Sequence, residues 1–188
     1  EAARAGASVV LVEQGDFASG TSSRSSKLVH GGLRYLAEGN LRLTREAVRE
    51  RDRLLDEAPG LVDPVGFLFT LRRGEKPGAA LVGTGLALYD LLARQGRHAR
   101  LTPDELRLRA PHVGGPGLSG AFAYADATTD DARLVLRVLH EAAHEGAVTR
   151  NYVRCEGLLR RDGRIRGALL RDLRTGEEHA LAAAAVVN

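Results

Sequence analysis

The first thirteen residues constrain the fold most. Glu1 to Ala5 read as the last turn of a helix, and Gly6 takes the place glycine usually holds after a helix end. Ser8 to Glu13, SVVLVE, is a β-branched run suited to a buried parallel strand. A helix, a glycine turn, a strand and an acid at the strand's end make the second half of a dinucleotide-binding βαβ unit. Glu13 stands where that unit keeps an acceptor for ribose hydroxyls, and a plain surface carboxylate is the competing reading. The GxGxxG turn of such a unit would lie before residue 1. With no Met in 188 residues, the chain is expected to be an internal piece of a longer protein.

The densest group of site-type residues is Thr21 to Leu36, TSSRSSKLVHGGLRYL. It crowds five serine or threonine hydroxyls, Lys27, His30, Gly31-Gly32, Arg34 and Tyr35 into sixteen positions. Hydroxyls and free backbone N–H groups bind phosphate oxygens through short, charge-assisted bonds. Gly lacks Cβ and lets backbone approach a flat ligand. Histidine is the kind of side chain that titrates near neutrality unassisted, so His30 is the natural proton acceptor, while Arg34 offers a planar fork for phosphate or carboxylate. A Ser-rich linker leading into a helix is the alternative. Leu28, Val29, Leu33 and Leu36 interleave with the polar residues and favour ordered packing.

SSKLVHGGLRYL, with TSS ahead of it, resembles the signature of the FAD-dependent glycerol-3-phosphate dehydrogenases and oxidases. A second match is Tyr124-Ala-Asp126 followed by Asp130-Asp131-Ala-Arg133-Leu134. Leu88-Tyr89-Asp90 sits where the family has a similar tripeptide, a match without weight alone. The resemblance covers essentially the whole chain in order. It implies an α/β fold: an FAD-binding Rossmann-like domain of the glutathione-reductase/D-amino-acid-oxidase type, interleaved with a substrate domain. Residues 1–60 would belong to the FAD-binding domain, 61–125 to the substrate-covering segment, and 126–188 to the return into the FAD-binding domain.

The implied reaction oxidises sn-glycerol 3-phosphate to dihydroxyacetone phosphate. Hydride passes from C2 to flavin N5, and His30 takes the hydroxyl proton. Arg34 would hold the substrate phosphate or polarise the forming carbonyl, with Tyr35 as a hydroxyl neighbour. The FAD contacts implied are Glu13, Thr21, Ser22, Ser25, Ser26, Lys27, Leu28, Gly31 and Gly32, with Val153 reaching adenine through its backbone. Arg24 stands where the family also has small residues. The electron acceptor is quinone or oxygen. The family leaves room for a homodimer and for peripheral contact with the inner face of the cell membrane from the cytoplasm. Without the glycine turn, residues 1–188 alone are not expected to hold FAD. Another flavin-dependent hydroxy-acid or amine oxidase of the same fold is the alternative.

Along the chain, Asn40 should cap a helix to about Ala58, with Leu41, Ala47, Val48, Leu54, Leu55 and Ala58 as its apolar side and Pro59-Gly60 as its end. Its arginines and acids, including Arg49 to Arg53, read as solvated salt-bridged surface. Val65–Leu71 reads as a strand with Phe67 and Phe69 on one face, Ala79–Gln95 as a helix, and Thr102 as a helix cap. Gly120–Ala125 reads as a strand, and Thr128 as the cap of a helix through Glu145. Val148–Cys155 reads as a strand, Gly157–Asp172 as a hairpin around Asp162-Gly163, and Leu181–Val187 as a last strand.

His140-Glu-Ala-Ala-His144 matches HExxH, the spacing of a zinc site on a helix. At about 100° per residue both imidazoles fall opposite the stripe of Leu134, Val135, Val138, Leu139 and Ala142. Solvent-facing histidines without a third ligand do not make a catalytic zinc centre, so no metal is expected. His98, His112 and His179 lack partner patterns and are expected to be exposed. The lone Cys155 is expected to be buried in a strand. The net charge of +3 comes from arginines mixed with acids, and aromatic residues make up 4%. Both argue against a nucleic-acid surface. The most apolar stretch, Leu81 to Leu92, is short of the roughly 18 residues a membrane span needs.

Overall fold

A computed structural model describes residues 1–93 and 98–188. In chain order the elements are β1 (Val10–Glu13), β2 (Leu28–Val29), α1 (Leu33–Ala37), α2 (Leu41–Glu57), β3 (Val62–Arg72), α3 (Ala79–Leu92), β4 (Ala99–Leu101), α4 (Pro103–Arg109), β5 (Leu118–Thr129), α5 (Asp131–His144), β6 (Val148–Asn151), β7 (Val153–Arg161), β8 (Arg164–Asp172) and β9 (Glu178–Ala182). A single 3₁₀ turn covers Thr21–Ser23. The chain forms two compact units, one of Glu1–Ser25 with Asp131–Asn188, the other of Ser26–Asp130.

In the first unit, the opening turn closes with Gly6 at φ +85°, and Ala7 donates back to the Ala2 carbonyl at 3.1 Å. Strand β1 pairs in parallel with β6, Val10 opposite Val148 and Glu13 opposite Asn151. It is parallel, as its sequence predicts, but not buried. Its one hydrogen-bonded neighbour among the described residues is β6, and Val10 and Leu11 stay 42% and 40% exposed.

The expected strand Val148–Cys155 is two strands. Tyr152 adopts φ +56° between them; its N–H donates to the Gly15 carbonyl at 3.1 Å, and its carbonyl accepts from Leu173 at 2.8 Å. That break sends β7 into an antiparallel sheet of order β7-β8-β9. The Asp162-Gly163 hairpin forms as expected, with both residues at positive φ, 52° and 72°. Cys155 is exposed on β7, contrary to expectation, because that edge strand has no second neighbour to cover it among the described residues. The last strand begins earlier than expected, at Glu178, where pairing with β8 starts.

In the second unit, the long strand β5 runs antiparallel to β3 along its whole length. Its other edge takes β2 at Ala127 and Thr128 and β4 at Ala121 to Ala123. This pairing overrides the cap expected at Thr128. The residue is in a strand, its hydroxyl donates to the Lys27 carbonyl at 2.9 Å, and the helix starts at Asp131. Among the described residues, two apolar clusters cover the sheet. Leu101, Leu106, Ala110 and Ala121 join α4 to β4 and β5. Leu71, Leu86 and Phe122 join α3 to β3 and β5, with Leu33 and Phe69 packed against them. The end expected for α3, at Gln95, lies outside the described residues; the helix is described to Leu92.

The short helix α4 is fixed by local chemistry. Thr102 accepts from the Glu105 N–H while the Glu105 carboxylate accepts from the Thr102 N–H, with Pro103 at the first helical position. These bonds hold the Glu105 carboxyl below its ordinary range. Thr102→Ala is expected to destabilise the unit by about 1 kcal/mol in urea unfolding. An unchanged midpoint would show that burial of Leu106 alone forms this helix.

Helix α2 starts at Asn40 as expected, its side-chain oxygen accepting from Leu43 N–H at 3.1 Å. Its buried face differs from the expected one. Thr44, Val48, Arg51 and Asp52 are buried, whereas Leu41 is 53% exposed. The helix turns two charged residues inward, and their partners lie at the candidate site.

Candidate active site

The candidate residues fall in both units. Glu13, Thr21, Ser22, Ser25 and Val153 are in the first; Ser26, Lys27, Leu28, His30, Gly31, Gly32, Arg34 and Tyr35 are in the second.

In the first unit, the Glu13 carboxylate ends β1 and accepts from the Gly15 N–H at 2.8 Å. A cavity of about 400 Å³ is lined by Glu13, Thr21 and Ser22 together with Leu11, Phe17 and Leu139. One carboxylate, two hydroxyls and an apolar wall suit a ribose with an attached flat ring, so the residues fit a dinucleotide. The Ser25 hydroxyl donates to Asp131, which joins the two distant sequence segments of the resemblance. Val153 opens β7 directly after Tyr152, whose N–H is bonded to the turn following Glu13.

In the second unit, His30 lies immediately after β2, whose ladder to β5 fixes Leu28 and Val29. Lys27 sits at φ +61°, with its carbonyl accepting from both Thr128 Oγ1 and Thr129 N–H. His30 is exposed, and its ring meets Tyr35 edge-on at 5.8 Å between centroids. Gly32 holds φ +80° as the residue before α1, which a side chain would strain. Arg34, on the first turn of α1, is exposed and paired with Glu38 at 3.0 Å.

Gly31 is anchored by a buried carboxylate. Its N–H donates to Asp126 Oδ1 at 2.9 Å. The same oxygen accepts from Arg51 Nη1 at 3.0 Å, and that nitrogen also donates to the Tyr89 hydroxyl at 2.7 Å. Arg51 Nε and Nη2 donate to Asp52 Oδ1 at 3.1 and 2.8 Å. Arg51 is 2% exposed, Tyr89 2%, Asp52 4% and Asp126 7%, so the group is enclosed. A Cβ on Gly31 would lie 2.0 Å from the Tyr89 oxygen and 2.7 Å from Arg51 Nη1. Here glycine is required by close approach.

The electrostatics agree with that geometry. Burial works against the charge on Arg51, but its bonds to Asp52 and Asp126 and the presence of Tyr89 outweigh it and raise its pKa. Burial pushes the Tyr89 phenol well above its ordinary value, reinforced by the Asp126 charge and opposed by Arg51. The phenol is therefore neutral at any ordinary pH and stays available as an acceptor for Arg51.

Sequence reasoning names His30 and Gly31 as candidates but not the buried residues bonded around Gly31. Arg51 reads as solvated because it sits in an alternating run of arginines and acids. The signal that distinguishes it is position: Arg51 shares a helix face with Thr44 and Val48, seven and three residues back, whereas Arg45 and Arg49 do not. His98 is also corrected. It is half-buried, with both its N–H and its ring Nδ1 bonded to Asp90, at 3.0 and 2.6 Å. His140 and His144 stand exposed on α5 with rings 4.9 Å apart. Among the described residues no three His, Cys, Asp or Glu side chains gather at a metal's reach, and no helix is long and apolar enough to cross a membrane.

Comparison with known families settles the class. The model of the DAO family, FAD-dependent oxidoreductases, matches residues 1–188. The chain belongs to this family. The chain is 38% identical over 191 residues to the aerobic glycerol-3-phosphate dehydrogenase of Bacillus subtilis (strain 168), covering 100% of itself and 34% of that protein. It is 37% identical over 192 residues to the enzyme of the same name from Staphylococcus epidermidis, again 34% of its length. The chain thus spans about a third of these relatives. Among solved structures, the glycerol-3-phosphate dehydrogenase of Bacillus halodurans complexed with FAD superposes with a TM-score of 0.73 at 28% identity, over 97% of this chain and 29% of that one. L-proline dehydrogenase from P. horikoshii shares the fold at a TM-score of 0.66 and 19% identity, over 89% of this chain and 44% of that one. The α/β, FAD-binding fold expected from the sequence is the fold found.

Proposed function

We propose that the protein carrying this chain oxidises sn-glycerol 3-phosphate to dihydroxyacetone phosphate. The observation that carries the reading is the segment His30 to Tyr35. It pairs an exposed imidazole with an exposed guanidinium on a short, anchored stretch, in a chain whose relatives at 37–38% identity are named for this substrate.

Oxidation of the alcohol removes a proton from oxygen and a hydride from C2. Bound FAD supplies the two-electron acceptor for that hydride. His30 takes the hydroxyl proton as general base. Arg34 exchanges its exposed, low-value pairing with Glu38 for the substrate phosphate, a better match for a planar fork. Tyr35 packs against the His30 ring and limits its rotation. Glu13, Thr21 and Ser22 hold the ribose and pyrophosphate side of the cofactor, with Ser25, Ser26, Lys27, Leu28, Gly32 and Val153 as its further contacts. Quinone or oxygen then accepts the electrons, at the cytoplasmic face of a membrane in the first case.

His30→Ala in the full-length protein that carries this chain should retain its flavin absorption band. The rate at which glycerol 3-phosphate bleaches that band should fall roughly 10²–10⁴-fold. A wild-type bleaching rate would remove His30 as the base.

A further inference from the structure

We infer that Arg51, Tyr89 and Asp126 are positioning residues for the proton-accepting imidazole, acting through the backbone of Gly31. This deepens the reading above and rests on His30 being the base. Three observations carry it.

The first is where the buried charges end. Asp126 Oδ1 accepts the Gly31 N–H directly, at 2.9 Å. A peptide bond is planar, so fixing that N–H fixes the plane it shares with the His30 carbonyl. On the other side, the β2–β5 ladder holds Leu28 and Val29. His30 is bracketed between a strand and a buried carboxylate, and its exposed ring hangs from a backbone with little freedom.

The second is that the carboxylate is itself held from elsewhere in the chain. Arg51 comes from α2, Tyr89 from α3 and Asp126 from β5. Arg51 bonds Asp52, Tyr89 and Asp126 at once, using Nε and both terminal nitrogens. Among the described residues no buried side-chain nitrogen or oxygen lacks a partner, so the cluster is fully satisfied. Such a network has one arrangement and transmits it to what it touches.

The third is that stability alone does not explain it. A buried ion pair is often no more stabilising than apolar residues of similar volume. A fold that needed only a filled space between α2, α3 and β5 would do as well with leucines. What leucines cannot do is accept the Gly31 N–H. Displacements of about 1 Å at a reacting group can cost on the order of a hundredfold in rate.

The test uses Tyr89→Phe and Asp126→Asn in the full-length protein that carries this chain, with His30→Ala alongside. Two readouts are taken. One is anaerobic bleaching of the bound flavin by glycerol 3-phosphate, resolved into a rate at saturation and a half-saturating concentration. The other is hydrogen exchange at the Gly31 amide without substrate. Asparagine keeps an oxygen for Gly31 but loses the charge, so that amide should exchange about tenfold faster than in wild type. The saturating rate per bound flavin should fall roughly 10–100-fold in Asp126→Asn and about 3–10-fold in Tyr89→Phe, with half-saturation held within about twofold. A purely structural role predicts losses in flavin content alone, with the rate per bound flavin unchanged; that result overturns the inference while a slow His30→Ala preserves the base. A fast His30→Ala overturns both. If Asp126→Asn fails to fold, Tyr89→Phe decides alone, since it removes one hydroxyl and leaves the Arg51–Asp126 bond in place.

Discussion

Arg51→Ala is expected to be among the most destabilising single changes in this chain, costing about 3–5 kcal/mol in urea unfolding. The substitution takes the guanidinium out from between two buried carboxylates. Asp126 then keeps its bond from the Gly31 N–H but loses its cation, at 7% exposure. Tyr89 loses the donor to its hydroxyl. The cost comes less from the lost attraction than from leaving charge in a place water does not reach. Pairing therefore predicts a particular non-additivity. The double variant Arg51→Ala/Asp126→Ala should cost less than the sum of the singles, by about 0.5–3 kcal/mol. Arg45→Ala, on the exposed side of the same helix, should stay within about 0.5 kcal/mol of wild type. Additive singles, or an Arg51→Ala that behaves like Arg45→Ala, would mean that the cluster opens to solvent and carries no buried charge.

Arg51 also marks the limit of what the sequence makes legible. The Asn40 cap, the Thr102 cap and the Asp162-Gly163 hairpin are all legible because each is a bond among neighbours within a few residues. These elements begin and turn where local chemistry says they should. The misreadings share the opposite character. Thr128 has the chemistry of a cap, and Asp131 follows at capping-box spacing, yet pairing with Leu28 and Asp63 keeps it in a strand. Tyr152 gives no sign of a break; the break depends on the Gly15 carbonyl, far back in the chain. His98 looks partnerless because Asp90 sits eight residues away across a segment whose course the sequence does not show.

The site divides in the same way. A dense run of hydroxyls, glycines and one imidazole is visible as composition, so His30 and its glycines can be named as candidates from residues 21 to 36 alone. The groups packed around Gly31 come from 20, 58 and 95 residues beyond it, and each has an innocent local reading. Arg51 sits in a salt-bridged helix pattern, Tyr89 in an apolar helix and Asp126 at the end of a strand-like run. Their meeting point is a property of the sheet together with α2 and α3.

Gly31→Ala should reveal that meeting point most sharply. The new methyl would lie 2.0 Å from the Tyr89 oxygen, 2.7 Å from Arg51 Nη1 and 2.9 Å from Tyr89 Cζ. Ends of side chains usually swing aside, but these two are buried and bonded to each other, so movement breaks the contacts that anchor Gly31. Overpacking of this kind costs about 1–3 kcal/mol, and the disturbed ion pair adds to it. Flavin reduction in the full-length protein should fall roughly a hundredfold, because the displaced backbone is the one carrying His30. The contact geometry predicts its own partial cure. Tyr89→Phe removes the nearest atom, so Gly31→Ala/Tyr89→Phe should recover about 1 kcal/mol relative to Gly31→Ala, even though Tyr89→Phe is harmful alone. Gly66→Ala is the control: that glycine lies in β3, a methyl added there would meet nothing within 4 Å, and stability should move by less than about 0.5 kcal/mol. If Gly31→Ala is as mild as Gly66→Ala, or if removing the Tyr89 hydroxyl only deepens its damage, then the phenol does not press on the glycine and the anchoring of the imidazole has another source.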